Sequence, residues 1–141
     1  VVASLQEAFD KYLAKGQPAY VDKIKFDEEN AIQLIKKADG LAILAHPHLM
    51  NYETFEECAI KILQLKEMGL DGFEVYYSGL ATSFTEKLKK LAAEHDFAIS
   101  GGSDYHGKNK EHIRMGYGRG DLNIPDSVYY DLKEHWSQSS K

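Results

Sequence analysis

Phe97-Ala98-Ile99-Ser100-Gly101-Gly102-Ser103-Asp104-Tyr105-His106-Gly107 is an apolar run that breaks into glycine and then into an acid–imidazole pair. A short apolar run bounded by glycine reads as a buried strand. Glycines at 101, 102 and 107 leave the backbone free to turn where that strand ends. Asp104 and His106 are two residues apart, and in extended backbone residues i and i+2 point to the same side. Both side chains are therefore expected to converge on one ion. The plainer alternative is that Ser103-Asp104 caps a helix.

A second run of the same kind lies upstream. Leu41-Ala42-Ile43-Leu44-Ala45 is apolar and ends in His46-Pro47-His48. Proline cannot donate to a sheet ladder, so this strand is expected to stop at His46, level with Asp104. Gly72-Phe73-Glu74-Val75-Tyr76-Tyr77 reads as the strand between them.

Helical patterns alternate with these strands. Ser4 and Glu7 form a capping-box signature ahead of Leu5, Ala8, Phe9, Tyr12 and Leu13, with Gly16-Gln17-Pro18 as the stop and Tyr20-Val21 as an extended link. Asp27 is the expected N-cap of a helix that turns Ala31, Leu34, Ile35 and Ala38 inward. A third helix is predicted from about Tyr52 to Met68, burying Phe55, Cys58, Ala59, Ile62 and Leu63, with Gly69 at its C′ position. Ser83 and Glu86 repeat the capping box for a helix carrying Phe84, Leu88, Leu91 and Ala92. After a looser glycine-containing segment, a last helix is expected from about Pro125 to Trp136. Strands separated by such helices imply an α/β fold with parallel pairing, whose reactive groups gather at the carboxyl ends of the strands. Three strands make a poor complete domain, so a part of a larger barrel or sheet is expected.

Composition bounds the function. Of 141 residues, 43% are hydrophobic and 28% charged, which is ordinary for a globular domain. The net charge is −5 and the 17 basic residues are scattered, which argues against a duplex nucleic-acid surface. No apolar run approaches the ~20 residues of a membrane span. A lone cysteine, Cys58, cannot form an internal disulfide and fits a reducing, cytoplasmic setting. Val1-Val2-Ala3-Ser4 has neither an initiator methionine nor the order of a signal peptide, so a fragment of a longer protein is expected.

Ala45-His46-Pro47, Gly69-Leu70-Asp71-Gly72-Phe73-Glu74-Val75-Tyr76-Tyr77 and Gly102-Ser103-Asp104-Tyr105-His106-Gly107-Lys108-Asn109 resemble, in that order, the later motifs of the PHP (polymerase and histidinol phosphatase) family of metal-dependent phosphoesterases. Glu7 to Leu13 and Pro18 to Val21 are similar to the stretch that precedes them in stand-alone bacterial members. The resemblance implies parallel strands alternating with helices as part of a distorted (β/α)7 TIM-like barrel. It also implies a cluster of two or three metal ions at the carboxyl face, with His46, Asp104 and His106 as metal ligands. The family's early histidine-rich motifs have no match, since His46 is the first histidine. Residues 1–24 are thus expected to be the end of a helical insertion and a linker, and 25–141 the carboxyl-terminal half of the barrel domain.

Phosphoester hydrolysis needs an activated water, neutralised phosphate charge and help for the leaving group, which clustered divalent ions supply. Mixed histidine and carboxylate ligands suit zinc, manganese or iron. With about three ligands of a larger set, the isolated chain is expected to bind metal weakly or not at all, and to be inactive. Glu74 alternates with Phe73 and Val75 and reads as a carboxylate holding a neighbouring ligand in place. His48 is a loop residue or a substrate contact. Lys108, with Lys110 and Arg114, attracts an anionic substrate or belongs to a solvated loop. Tyr76 and Tyr77 read as core, His95, His112 and His135 as surface residues, and Cys58 as packing.

By resemblance, the substrates are phosphomonoesters such as nucleotide bisphosphates, or the ends of short oligonucleotides. The partners are the missing amino-terminal half of the domain or a second copy. The rival reading is a non-catalytic α/β binding or regulatory module.

Overall fold

A computed structural model describes residues 2–22 and 26–139. Its sheet has three parallel strands, β1 (Ile43–Leu44), β2 (Gly72–Tyr77) and β3 (Ala98–Gly102), in the order β1-β2-β3. Around and between them run α1 (Leu5–Ala8), α2 (Glu28–Lys37), α3 (Phe55–Glu67), α4 (Thr82–Glu94) and α5 (Ser127–Ser139). The predicted parallel α/β alternation is present. The boundary expected between residues 24 and 25 lies outside the described residues.

β2 is the centre of the sheet, and Gly72 to Val75 are buried without alternation. That is the signature of a parallel strand covered on both faces. Phe73 and Val75 enter one core with Cys58 and Ile62 of α3, Leu88, Leu91 and Ala92 of α4, and Ile32 of α2. Phe73 meets Phe97 edge-on at 5.1 Å between ring centroids.

Past Glu74 the ladder slips by one residue. Glu74 pairs with Ser100, yet Tyr76 pairs with Gly101 and Tyr77 with Gly102. Val75 is the extra residue of a bulge, which re-aims the side chains beyond it. Gly101 makes this possible, because a Cβ there would lie 2.6 Å from Tyr76 Cβ.

β1 is shorter than expected and stops at Leu44, because His46 already has left-handed backbone and Pro47 has no N–H to donate. Asp71 extends the attachment by side chain: its carboxylate accepts from the Ala42 N–H at 2.7 Å and from Lys36 Nζ at 2.5 Å.

Three helical expectations need correction. In α2, capped by Asp27 as predicted, the buried residue is Ile32, while Leu34 is 57% exposed and Ile35 and Ala38 are also exposed. The helix lies with Ile32 beside Gly69 and with Gln33 donating to the Met68 carbonyl. Periodicity identified an apolar stripe but not the face that finds a neighbour. α4 starts at Thr82 after Ala81, with no side-chain cap, so Ser83 falls inside the helix and the second capping box is not used. The turn after β2, in which Leu80 N–H bonds the Tyr77 carbonyl and Leu80 packs on the core, brings the start forward.

At the amino terminus, Ser4 Oγ does accept from Glu7 N–H, but Glu7 reaches the Ala3 N–H instead of closing the box on Ser4. α1 is a single turn that continues as a π-helical turn, Phe9–Leu13, and its apolar side is open, Leu5 being 78% exposed.

Cys58 is fully buried, and burial pushes its thiol above the ordinary cysteine range. A thiol reagent at neutral pH should therefore leave Cys58 untouched in the native chain and label it fully in denaturant. Prompt, complete labelling of the folded protein would contradict the packing.

Candidate metal centre

His46 and Asp104 follow the carboxyl ends of β1 and β3, and both have left-handed backbone, with φ of 48° and 52°. Residues other than glycine take this conformation at a cost, and such residues cluster at functional sites. His46 is held there by the β2 carboxylate: its N–H donates to Glu74 Oε2 at 2.9 Å. The Glu74 carboxyl group is buried. Burial raises its pKa, with the His46 N–H working in the opposite direction.

Asp104 is the hub. Its Oδ1 lies 2.9 Å from His106 Nε2 and 3.5 Å from His46 Nε2, and His46 Nε2 is 3.9 Å from Glu74 Oε2. Its Oδ2 accepts the Tyr77 hydroxyl at 3.1 Å and the Lys110 ammonium. The ammonium first, and then His106 and Tyr77, hold the carboxyl well below the usual carboxylate range, against the effect of its burial.

His46, Glu74, Asp104 and His106 thus lie close together, though not by the expected route. Neither Asp104 nor His106 belongs to β3. Asp104 is in a left-handed turn, and His106 precedes a one-turn 3-10 helix, Gly107–Lys110, without capping it by its side chain. The convergence comes from side-chain reach across a turn and not from the pleat. Ser103 caps no helix, and its Oγ accepts from the Gly116 N–H at 3.2 Å.

His48 sits in the turn Pro47–Leu49 with its ring 4.5 Å from that of Tyr77 and its Nδ1 buried without a hydrogen-bond partner. Burial, and then the neighbouring His46, lower its pKa. Lys108 is exposed in an open groove with Tyr105, Glu111 and Arg114, apart from the cluster.

Four residues, Tyr77, Lys110, Ser78 and Asp121, make contacts that sequence reasoning did not give them. Tyr77 reaches Asp104 because the bulge re-aims the end of β2. Lys110 arrives from the following 3-10 turn, and no spacing rule announces that contact. Ser78 and Asp121 clip the 107–124 loop to the end of β2: the Ser78 hydroxyl donates to Asp121 Oδ1, the Gly79 N–H to Asp121 Oδ2 at 2.7 Å, and the Arg119 N–H to Ser78 Oγ at 2.8 Å. Ser78 is buried, and a buried hydroxyl needs a partner, which this clip supplies.

In residue type this set fits a divalent ion: two imidazoles and a carboxylate at one rim, with a second carboxylate behind them. In arrangement it is closed upon itself. Among the described residues no group of three or more His, Cys, Asp and Glu side chains is arranged to hold an ion. His106 and Asp104 touch each other directly and do not surround a common point.

No family model matches the chain. Curated relatives do. The chain is 36% identical over 101 residues to a 5′-3′ exoribonuclease of Haemophilus influenzae, covering 71% of this chain and 36% of that protein. It is 32% identical over 107 residues to a 3′,5′-nucleoside bisphosphate phosphatase of Chromobacterium violaceum, covering 74% of this chain and 36% of that protein. Among solved structures, a Bifidobacterium adolescentis protein assigned as a metal-dependent phosphoesterase superposes with a TM-score of 0.65 at 26% identity, over 92% of this chain and 44% of the other. The chain therefore spans little more than a third of the length of these curated relatives. Its ordered motifs, its parallel sheet and these relatives agree: the chain belongs, as a part-length member, to the PHP-type metal-dependent phosphoesterases.

Proposed function

We propose that the chain is the carboxyl-terminal portion of a phosphoesterase that hydrolyses phosphomonoesters, either nucleotide bisphosphates or short oligonucleotides at one end. The observation that carries this reading is the meeting of His46 from the end of β1 with Asp104 and His106 from beyond β3, backed by the buried Glu74 of β2. His46, Asp104 and His106 would hold divalent ions of the zinc, manganese or iron type, two or three of them in the complete domain. Bound there, such ions supply Lewis acidity and positive charge for attack on a phosphoester.

The protein's own residues supply position. Glu74 fixes the His46 backbone through its N–H, Tyr77 orients the Asp104 carboxylate, and the Ser78–Asp121 clip holds the loop that follows. His48 and Lys108 are the proposed substrate contacts, His48 from the turn beside His46 and Lys108 from the loop after His106. Residues 1–24 form the end of an insertion and a linker, and 25–141 the carboxyl-terminal half of a distorted (β/α)7 barrel in a cytoplasmic enzyme. An amino-terminal half of that barrel, or a second copy, would cover the open edge of β1 and the exposed stripe of α2. The isolated chain is proposed to be inactive and to bind metal weakly at most.

The test is metal content and phosphomonoesterase activity of the full-length protein before and after Asp104→Ala. A loss of about a hundredfold in activity, together with loss of bound metal, is expected. A fully metallated and active Asp104→Ala protein would remove Asp104 from the ligand set and leave the non-catalytic module as the better reading.

A further inference from the structure

Two carboxylates, Glu74 and Asp104, face the imidazole of His46, with Oε2 and Oδ1 at 3.9 and 3.5 Å from its Nε2. Both are largely withdrawn from solvent, with side-chain exposures of 10% and 12%. Acids placed this way need a compensating cation. The structure supplies one from the protein itself: the Lys110 ammonium on Asp104 Oδ2.

The groups around Asp104 differ in how easily they leave. Tyr77 belongs to β2, and its ring is wedged against His46 at 5.6 Å and His48 at 4.5 Å. Lys110 ends a one-turn 3-10 segment, and its side chain is 40% exposed. An ammonium is a compact, strongly hydrated charge on a flexible stem, and water replaces its partner readily. Beside it lies a cavity of about 60 Å³ lined by Ser103, His112 and Arg119 as well as Lys110, which leaves room for the stem to turn.

We propose that Lys110 is an exchangeable internal cation, which neutralises Asp104 while no metal is bound and must leave its Oδ2 oxygen before a divalent ion is accepted. The inference rests on the ligand role given to Asp104 above. Ammonium and ion compete for one oxygen and repel each other at that distance, so each weakens the binding of the other. The lysine thereby keeps the rim ordered in the metal-free protein and lowers the apparent affinity for metal.

The experiment titrates metal-free full-length protein with Mn²⁺ and reads the free ion by electron paramagnetic resonance, for the wild type, Lys110→Met and Lys110→Arg. Lys110→Met should bind Mn²⁺ about tenfold more tightly, and Lys110→Arg, which retains the charge, should stay near the wild type. A second measurement needs no variant: acetylation of Lys110 in the wild type, followed by mass spectrometry, should speed up when Mn²⁺ is added. Equal or weaker Mn²⁺ binding by a folded Lys110→Met protein, or acetylation indifferent to Mn²⁺ in a protein that binds it, overturns the inference and leaves the metal centre standing. Absence of Mn²⁺ binding in every protein sinks the metal centre, and the inference with it.

Discussion

Alanine in place of Phe73 should cost the fold about 3–5 kcal/mol. The ring is fully buried at the centre of the middle strand, touches Phe97 edge-on, and belongs to the cluster that joins α2, α3 and α4 to the sheet. Truncation removes the transfer free energy of the ring and leaves a cavity inside a fully buried cluster. Such a site collapses poorly, which places the loss toward the upper end of the range. Phe73→Leu keeps most of the volume and should lose only about 1–1.5 kcal/mol. Urea denaturation followed by circular dichroism separates the two. If the alanine variant unfolded at the wild-type midpoint, the core drawn around β2 would be wrong.

Gly72→Ala should be comparably severe, at least about 3 kcal/mol, for a different reason. Gly72 pairs with Ala98, and a Cβ on it would lie 2.1 Å from the Ala98 carbonyl oxygen and 2.7 Å from the carbonyl carbon. Those are backbone atoms in the ladder, so no side-chain rotation relieves the overlap. β2 and β3 would have to part where the Ala98 N–H bonds the Asp71 carbonyl at 2.8 Å. Gly107→Ala is the informative contrast. Its φ is +60°, but nothing lies within 4 Å of the new methyl, so only the left-handed backbone is penalised, by about 1–2 kcal/mol. A Gly72→Ala variant no less stable than Gly107→Ala would disprove the close approach of the two strands.

Both changes bear on function through the same geometry. β2 contributes Glu74 to the backbone of His46 and Tyr77 to Asp104, and its bulge sets the direction of the second contact. A shift of this strand relative to β3 would separate the carboxylate hub from the residues that orient it. The two glycines opposite the end of β2, Gly101 and Gly102, allow the approach: a Cβ on Gly102 would come within 3.2 Å of Glu74 Oε1.

Some of this was legible in the chain because it depends on near neighbours. The apolar runs at 41–45, 72–77 and 97–99, cut by proline or glycine, mark the three strands, and the helical periods between them force parallel pairing. Asp27 and Gly69 mark helix ends through backbone groups a few residues away. The placing of His46, Asp104 and His106 beyond strand ends follows from the same punctuation.

Other features depend on which atoms meet through space, and local pattern is silent there. α2 displays an apolar stripe, yet Ile32 is what it buries, because the covering element and not the helix decides which face is inward. Tyr77 joins the site through a bulge that appears only when β2 is laid on β3. Lys110 joins through a turn whose path is fixed by contacts such as the Ser78–Asp121 clip, formed across 43 residues. By itself the sequence determined the strands, their parallel sense and the rim on which the candidate ligands stand, since proline, glycine and apolar period act locally. Only the tertiary structure decided how the rim is charged and oriented, because a carboxylate's partners are chosen by distance in the folded chain and not by separation along it.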